Sequence, residues 1–126
     1  MTTSQTAVLE RYFEALRSHD WVRLAECLAD DVHRTGPYLD VVKGKRAYVE
    51  FLSRLLPTLP NYALKIARIR KVGEASAIAE LTETLDVEGV SREFPEALLF
   101  DFDEAGRILR IDIYVKRPPI GETPRS

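Results

Sequence analysis

The stretch Ala77-Ile-Ala-Glu-Leu-Thr-Glu-Thr-Leu-Asp-Val87 decides how the rest of this chain is read. Under the two-residue period of a pleated strand it sorts into two faces. One face carries Ala77, Ala79, Leu81, Glu83, Leu85 and Val87; the other carries Ile78, Glu80, Thr82, Thr84 and Asp86. Glu83 is the single charge on an otherwise apolar face. A carboxylate there is costly unless it is paired, hydrogen-bonded or protonated. Two readings follow: a small cavity holding a working acid, or a strand end that reaches water.

The same period extends outward on both sides. Tyr62 to Val72 reads as a strand, Gly73-Glu74 as a tight turn, and Ala75 to Val87 as the strand just described. After a turn at Glu88-Gly89, Phe94, Glu96, Leu98, Phe100 and Phe102 form one face of the next strand. Asp103-Glu-Ala-Gly106 is a hairpin signal. The last strand, Arg107 to Lys116, has Leu109, Ile111, Ile113 and Val115 on one face and Arg110, Asp112 and Tyr114 on the other.

Toward the N-terminus the period becomes helical. Residues from Ser4 to Ser18 carry Val8, Tyr12 and Ala15 beside Leu9, Phe13 and Leu16, a broad apolar face. Asp20 is a good N-cap for a second helix in which Trp21, Leu24, Ala25 and Leu28 recur, closed by Asp30-Asp31. Val32 to Tyr38 reads as a short strand cut by Gly36-Pro37, followed by a polar link to Gly44-Lys-Arg46. A third helix bears Ala47, Tyr48, Phe51, Leu52, Leu55 and Leu56 on one side and stops at Pro57. Helices first and an antiparallel meander after is an α+β order. The expected fold is a cone-shaped roll, with three N-terminal helices packed on a curved, mainly antiparallel sheet that encloses a pocket. Residues 1–117 form one domain in this reading, and 118–126, beginning at Pro118-Pro119, a flexible tail.

Composition narrows the function. At 126 residues the chain is one domain with a sizeable core. Its net charge of −2 gives no electrostatic reason to expect nucleic acid or an anionic membrane. The basic run Lys65, Arg68, Arg70 and Lys71 reads as charges guarding a sheet edge. One cysteine, Cys27, rules out an internal disulfide, and no apolar run approaches membrane-spanning length. Without signal-peptide features at the N-terminus, the expected setting is the cytoplasm. His19 and His33 have no partner ligand at metal-binding spacing, and there is no nucleotide fingerprint, so no metal and no cofactor are expected.

Arg11-Tyr-Phe-Glu-Ala-Leu-Arg-Ser-His-Asp-Trp-Val-Arg-Leu-Ala-Glu-Cys-Leu-Ala-Asp-Asp31, then Thr35-Gly-Pro37, and Phe102-Asp-Glu-Ala-Gly-Arg-Ile108 resemble the nuclear-transport-factor-2-like superfamily. Its branches include ketosteroid isomerases, SnoaL-like polyketide cyclases and limonene-epoxide hydrolases. The resemblance spans about Ala7 to Lys116, and it implies the roll with a ligand cavity, usually in a homodimer packed sheet to sheet. A fold of this kind hosts enzymes and non-enzymes alike. The hydrogen-bonding tyrosine of the ketosteroid isomerases falls on Tyr12, but their general-base aspartate falls on Gly36 and their protonated aspartic acid on Leu98. With two of three groups absent, the pattern is not that of a standard ketosteroid isomerase. Of the two aspartates bridged by an arginine in the epoxide hydrolases, one matches Asp86. Thr84 stands in place of the arginine and Ile113 in place of the second aspartate.

The resemblance puts Arg34, Leu81, Glu83, Leu85, Phe100, Ile111, Ile113 and Val115 on the cavity side, in agreement with the strand faces. A four-residue turn at Glu88–Ser91 would set Glu96 directly across from Glu83. Two carboxylates so close do not both ionise cheaply, and the raised one suits proton transfer. Arg34, on the parity of Val32 and Gly36, is the expected charge partner of Glu83 or an oxyanion stabiliser, and Tyr12 the hydrogen-bond donor. Tyr38 and Asp40 would line the mouth, with Phe51 and Leu98 deeper in. The blander readings are an Arg–Glu pair closing the core and a Tyr12 hydroxyl satisfied by the protein itself.

The expected function is therefore a small-molecule enzyme working by carboxylate proton transfer on a hydrophobic substrate, as an isomerase, cyclase or lyase/hydratase. The alternative is a non-catalytic ligand-binding or dimerisation module, which a cavity filled by Phe13, Phe51, Phe100 and Phe102 would favour. The half-polar face bearing Thr82, Thr84, Arg110, Asp112 and Tyr114 is the expected surface for a symmetric dimer.

Overall fold

Alternating burial builds the sheet. In a computed structural model, which describes residues 4–117, Ala77, Ala79 and Leu81 are buried while Ile78, Glu80 and Thr82 are partly covered. They belong to β4 (Ser76–Val87), flanked by β3 (Ala63–Val72) and β5 (Val90–Phe102), both antiparallel to it. The β4–β5 connection is the two-residue turn Glu88-Gly89, with φ of 52° and 80°. Positive φ at both central residues is the hairpin geometry that matches strand twist, and glycine supplies one of them without strain. The tighter turn sets Leu81 opposite Glu96 and Glu83 opposite Phe94. Glu96 is therefore diagonal to Glu83 on the same face, not directly across from it.

β6 (Ile108–Val115) continues the meander beside β5, and β1 (Leu28–Thr35) runs parallel to β6. A short edge strand, β2 (Val41–Lys43), pairs with β1 in the segment expected to be a polar link. The result is an open six-stranded mixed sheet in the order β2-β1-β6-β5-β4-β3. The basic strand β3 is indeed an edge, and two of its arginines, Arg68 and Arg70, pair with Glu80 of β4.

Three irregularities bend the sheet and shift assignments made from strict alternation. In β6, Asp101 faces Arg110 while Phe102 faces Ile108, so Leu109 is the extra residue. Ile108, fully buried, takes the core position expected of Leu109. In β1 the register shifts between Leu28 and His33. Leu28 and Ala29 are both buried and Asp30 and Asp31 both exposed before alternation resumes at Val32. Asp30-Asp31 thus lies inside a strand and does not close the second helix. The third irregularity, in β3 between Ile66 and Arg68, adds curvature beside β4.

Helix α1 (Gln5–Ser18) starts where the Ser4 side chain accepts from the Ala7 N–H, and ends at His19 in the left-handed conformation. Asp20 caps α2 (Trp21–Glu26) by accepting from the Arg23 N–H. Helix α3 (Lys45–Leu55) passes into a 3₁₀ turn, Leu56–Thr58, at Pro57. α1 packs on β3 and β4, and α3 on β1. Their junction with the sheet is the core, where Tyr12, Phe13 and Phe100 meet edge to face at centroid distances of 5.2–5.9 Å. The expected tail, 118–126, lies outside the described residues.

Candidate functional site

Between α1, α3 and the curved face of the sheet lies a cavity of about 350 Å³. Of the residues expected to line it, Tyr12, Arg34, Tyr38, Phe51, Leu81, Glu83, Leu85, Glu96, Leu98, Ile113 and Val115 do so. Phe100 and Ile111 do not. Both are fully buried, and Phe100 is covered by Tyr12 and Phe13. Strand parity gave the correct face for them, but the aromatic side chains of α1 fill the space above Phe100. Phe51 lines the cavity without closing it, and space for a ligand remains.

Two polar clusters interrupt the apolar lining. The first stands on the sheet wall. Glu83 accepts a hydrogen bond from the Tyr62 hydroxyl, and Glu96 stands beside Glu83 on the neighbouring strand. Burial and the neighbouring Glu83 carboxyl push the Glu96 carboxyl up to about 10, and the Arg34 charge pulls the other way. Glu96 therefore keeps its proton at neutral pH. Burial and the Glu83 charge also raise the Tyr62 phenol, keeping it a donor.

The second cluster lies between α1, α3 and the end of β1. Arg34 is only 7% exposed, on the buried parity of Val32 and Gly36 as expected. Its partner is Asp40, not Glu83: Nη1 lies 3.0 Å from Asp40 Oδ2. Loop closure explains the change. The Gly36 N–H donates to the Asp40 carbonyl at 2.8 Å, folding the chain back on itself. The Asp40 carboxylate then sits above Gly36, where an added Cβ would meet it at 2.4–2.7 Å. Asp40 Oδ1 also accepts from the Tyr38 N–H at 3.2 Å. Burial alone would raise the Asp40 carboxyl, but the bonds from Arg34 and Tyr38 outweigh it and hold it below the usual carboxylate range.

The Arg34 guanidinium stacks on Phe51, 4.7 Å from the ring centroid, and its buried Nε–H has no partner among the described residues. Beside it the Tyr12 and Tyr48 hydroxyls are hydrogen-bonded to each other. Burial raises both phenols; in Tyr48 the bonds from Tyr12 and Arg34 and the Arg34 charge oppose that rise. Since each hydroxyl has one proton, the acceptor of the pair still has its own to give. Together Arg34 and the tyrosine pair form a donor group facing the carboxyl pair across an apolar cavity.

Tyr48 and Tyr62 were not singled out from sequence. Tyr48 reads as part of the apolar stripe of α3 and Tyr62 as the start of a strand. The available signal was a tyrosine on a buried face, whose hydroxyl must find a partner. Asp86, the possible epoxide-hydrolase match, lies outside the cavity lining and accepts from Asn61 Nδ2 at 2.6 Å. Among the described residues no group of histidine, cysteine and carboxylate side chains is placed to hold a metal ion.

Known proteins agree with this architecture. An LEH-like epoxide hydrolase of Mycobacterium tuberculosis superposes with a TM-score of 0.77 at 25% identity, over 91% of this chain and 84% of that one. A Shewanella denitrificans protein proposed to be a SnoaL-like polyketide cyclase gives 0.77 at 16% identity, over 89% and 90%. A Mycobacterium tuberculosis protein solved with estradiol-17β-hemisuccinate gives 0.74 at 16% identity, over 89% and 94%. No curated protein matches the chain. The SnoaL-like domain model matches residues 9–111, from the middle of α1 into β6. The chain has the nuclear-transport-factor-2-like, ketosteroid-isomerase-like fold, and it belongs to the SnoaL-like domain family.

Proposed function

We propose that this protein is a cofactor-independent enzyme that moves a proton within a hydrophobic, carbonyl-bearing substrate, in an isomerase, cyclase or lyase/hydratase reaction. The observation that carries this reading is the placement of Glu83 and Glu96 side by side on the wall of an apolar cavity, where burial and the Glu83 charge keep Glu96 protonated. One carboxylate and one carboxylic acid at a single place are a base and an acid ready together. Glu83 takes the proton from the carbon next to the substrate carbonyl. The electron pair moves onto the carbonyl oxygen, where the free hydroxyl proton of the Tyr12–Tyr48 pair and the Arg34 Nε–H stabilise the oxyanion. The proton returns from Glu83 or Glu96 to a second atom, completing the rearrangement or elimination. A cavity of about 350 Å³ has room for a one- or two-ring molecule, and a protein of the same fold has been solved with a steroid ester. The solvent-facing side of the sheet, with Tyr114 at 60% and Leu99 at 37% exposed, is the proposed contact for a second copy in a cytoplasmic homodimer.

Proton abstraction is measurable before the product is known. Incubated in D₂O with a panel of hydrophobic ketones and enones, the protein should accelerate deuterium entry beside the carbonyl, read by NMR. Glu83→Gln should slow that exchange by about 10²–10³-fold. Equal exchange by Glu83→Gln and the parent protein, or none above buffer across the panel, would end the proposal.

A further inference from the structure

We propose that Asp40 sets the charge class of the ligand: by neutralising Arg34 it makes the cavity select an uncharged molecule with an acceptor oxygen and reject carboxylates. The inference takes the cavity of the proposed reaction as the ligand site and goes beyond it by naming which molecules enter.

A buried arginine in an apolar cavity ordinarily reads as a carboxylate receptor, because its planar fork matches the anion. Here the charge is already paired. Arg34 Nη1 is held by Asp40 and the face of the guanidinium by Phe51, leaving Nε–H without a partner among the described residues. The N–H groups that remain, Nε–H among them, can donate to a neutral carbonyl oxygen, whereas the charge that would hold a carboxylate is already paired with Asp40. The net charge points the same way. Besides tyrosines, the ionisable groups in the lining are Arg34, Asp40, Glu83 and Glu96. Arg34 and Asp40 cancel, which leaves Glu83, beside Glu96, with no cation in the lining to offset its charge. A ligand carboxylate would bring a second anion into a site that already has an uncompensated one. Arg117 does not alter this balance, because it lies outside the lining, exposed and stacked on the Tyr38 ring 4.1 Å away.

Gly36 is the local reason the device is possible. Any side chain there would start inside the volume the Asp40 carboxylate fills. The absent side chain at Gly36 and the ion pair at Arg34 are thus one feature: a carboxylate from four residues later in the chain occupies the space and spends the cation.

The test uses two probes of similar size, 2-octanone and octanoate, with equilibrium binding to the full chain measured by calorimetry or NMR titration at pH 7. The parent protein should bind the ketone at least tenfold more tightly than the acid. Asp40→Asn, which keeps the size of the side chain and removes its charge, should shift that ratio toward octanoate by tenfold or more. Glu80→Gln, which removes a carboxylate paired with Arg68 on β3, outside the lining, should leave the ratio unchanged. A parent preference for octanoate, no measurable 2-octanone binding, an unmoved ratio in Asp40→Asn, or an equal shift in Glu80→Gln would each overturn the proposal. Because the readout is binding and not turnover, failure of deuterium exchange would sink the proton-transfer reading and leave this one standing.

Discussion

The two polar clusters of the cavity solve one physical problem in opposite ways. Asp40 is kept charged by a cation, and its carboxyl is held below the ordinary range. Glu96 is kept neutral by a proton, and its carboxyl is raised to about 10. The difference lies in the neighbours. Asp40 folds onto the Arg34 guanidinium at the cavity mouth, whereas Glu96 stands beside a second carboxyl, Glu83, on the sheet wall. A carboxyl leaving water must find either a counter-charge or a proton, and which of the two it finds sets its chemistry. The ion pair is a fixed element. The protonated pair has a proton to give and a lone pair to receive one.

The largest expected effect on this comparison is on activity. Glu83→Gln removes the base and should slow deuterium exchange by the two to three orders of magnitude given above, while Asp40→Asn should act mainly on ligand choice. If Asp40→Asn abolished exchange as fully as Glu83→Gln, the division of labour between the clusters would be wrong. Next comes stability. Arg34→Leu deprives Asp40 of its cation and Phe51 of its stacking partner, and should cost about 2 kcal/mol in urea unfolding at pH 7. That is below the range for a fully buried pair, because Asp40 still reaches water.

The pH dependence of that loss has a definite sign. Asp40 has a depressed folded-state pKa, so its contribution is present above the unfolded value and fades as pH falls through the folded one. The gap between the parent protein and Arg34→Leu should therefore narrow in acid. Glu96 should show the reverse. Its folded-state pKa is raised, so the stability linked to its proton is complete below the ordinary glutamate value and declines as pH rises toward about 10. The slope is at most about 1.4 kcal/mol per pH unit, and less because the side chain is only partly buried. Glu96→Gln keeps a neutral donor and should flatten that decline in thermal melts between pH 6 and 9 by roughly this slope. A parallel decline in both proteins would mean that Glu96 does not keep its proton. The smallest effect belongs to the tyrosines. A double-mutant cycle of Tyr12→Phe and Tyr48→Phe should return a coupling of about 1 kcal/mol in unfolding free energy, and a zero coupling would remove the donor pair from the site.

Much of this was legible in the chain, for identifiable reasons. The period of two in Ala77–Val87 placed β4 and the face of Glu83, because alternation is a geometric property of any strand. Asp20 marked a helix start because an oxygen at that position satisfies an N–H the helix cannot. Parity also put Arg34 on the buried side of β1. What parity could not supply was the partner. The pairing of Arg34 with Asp40 depends on a loop closing over Gly36. The diagonal placement of Glu96 depends on a two-residue turn where four residues were equally readable from composition. Leu109 and Ile108 exchanged roles because the bulged residue breaks the alternation there, while Ile111 and Ile113 beyond it keep the expected face.

By itself, then, the sequence determined the α+β order of elements, the apolar face of each long strand and the presence of an acid on the face that becomes a cavity wall. These are local properties, set by side-chain period and capping within a few residues. Only the tertiary structure decided that Glu83 stands beside Glu96 and accepts from Tyr62, that Arg34 is spent on Asp40, and that Phe100 and Ile111 are covered while Leu98 and Ile113 are not. Those outcomes depend on register, bulges and helix docking, where segments far apart in the chain come within a few ångströms of one another and compete for the same space.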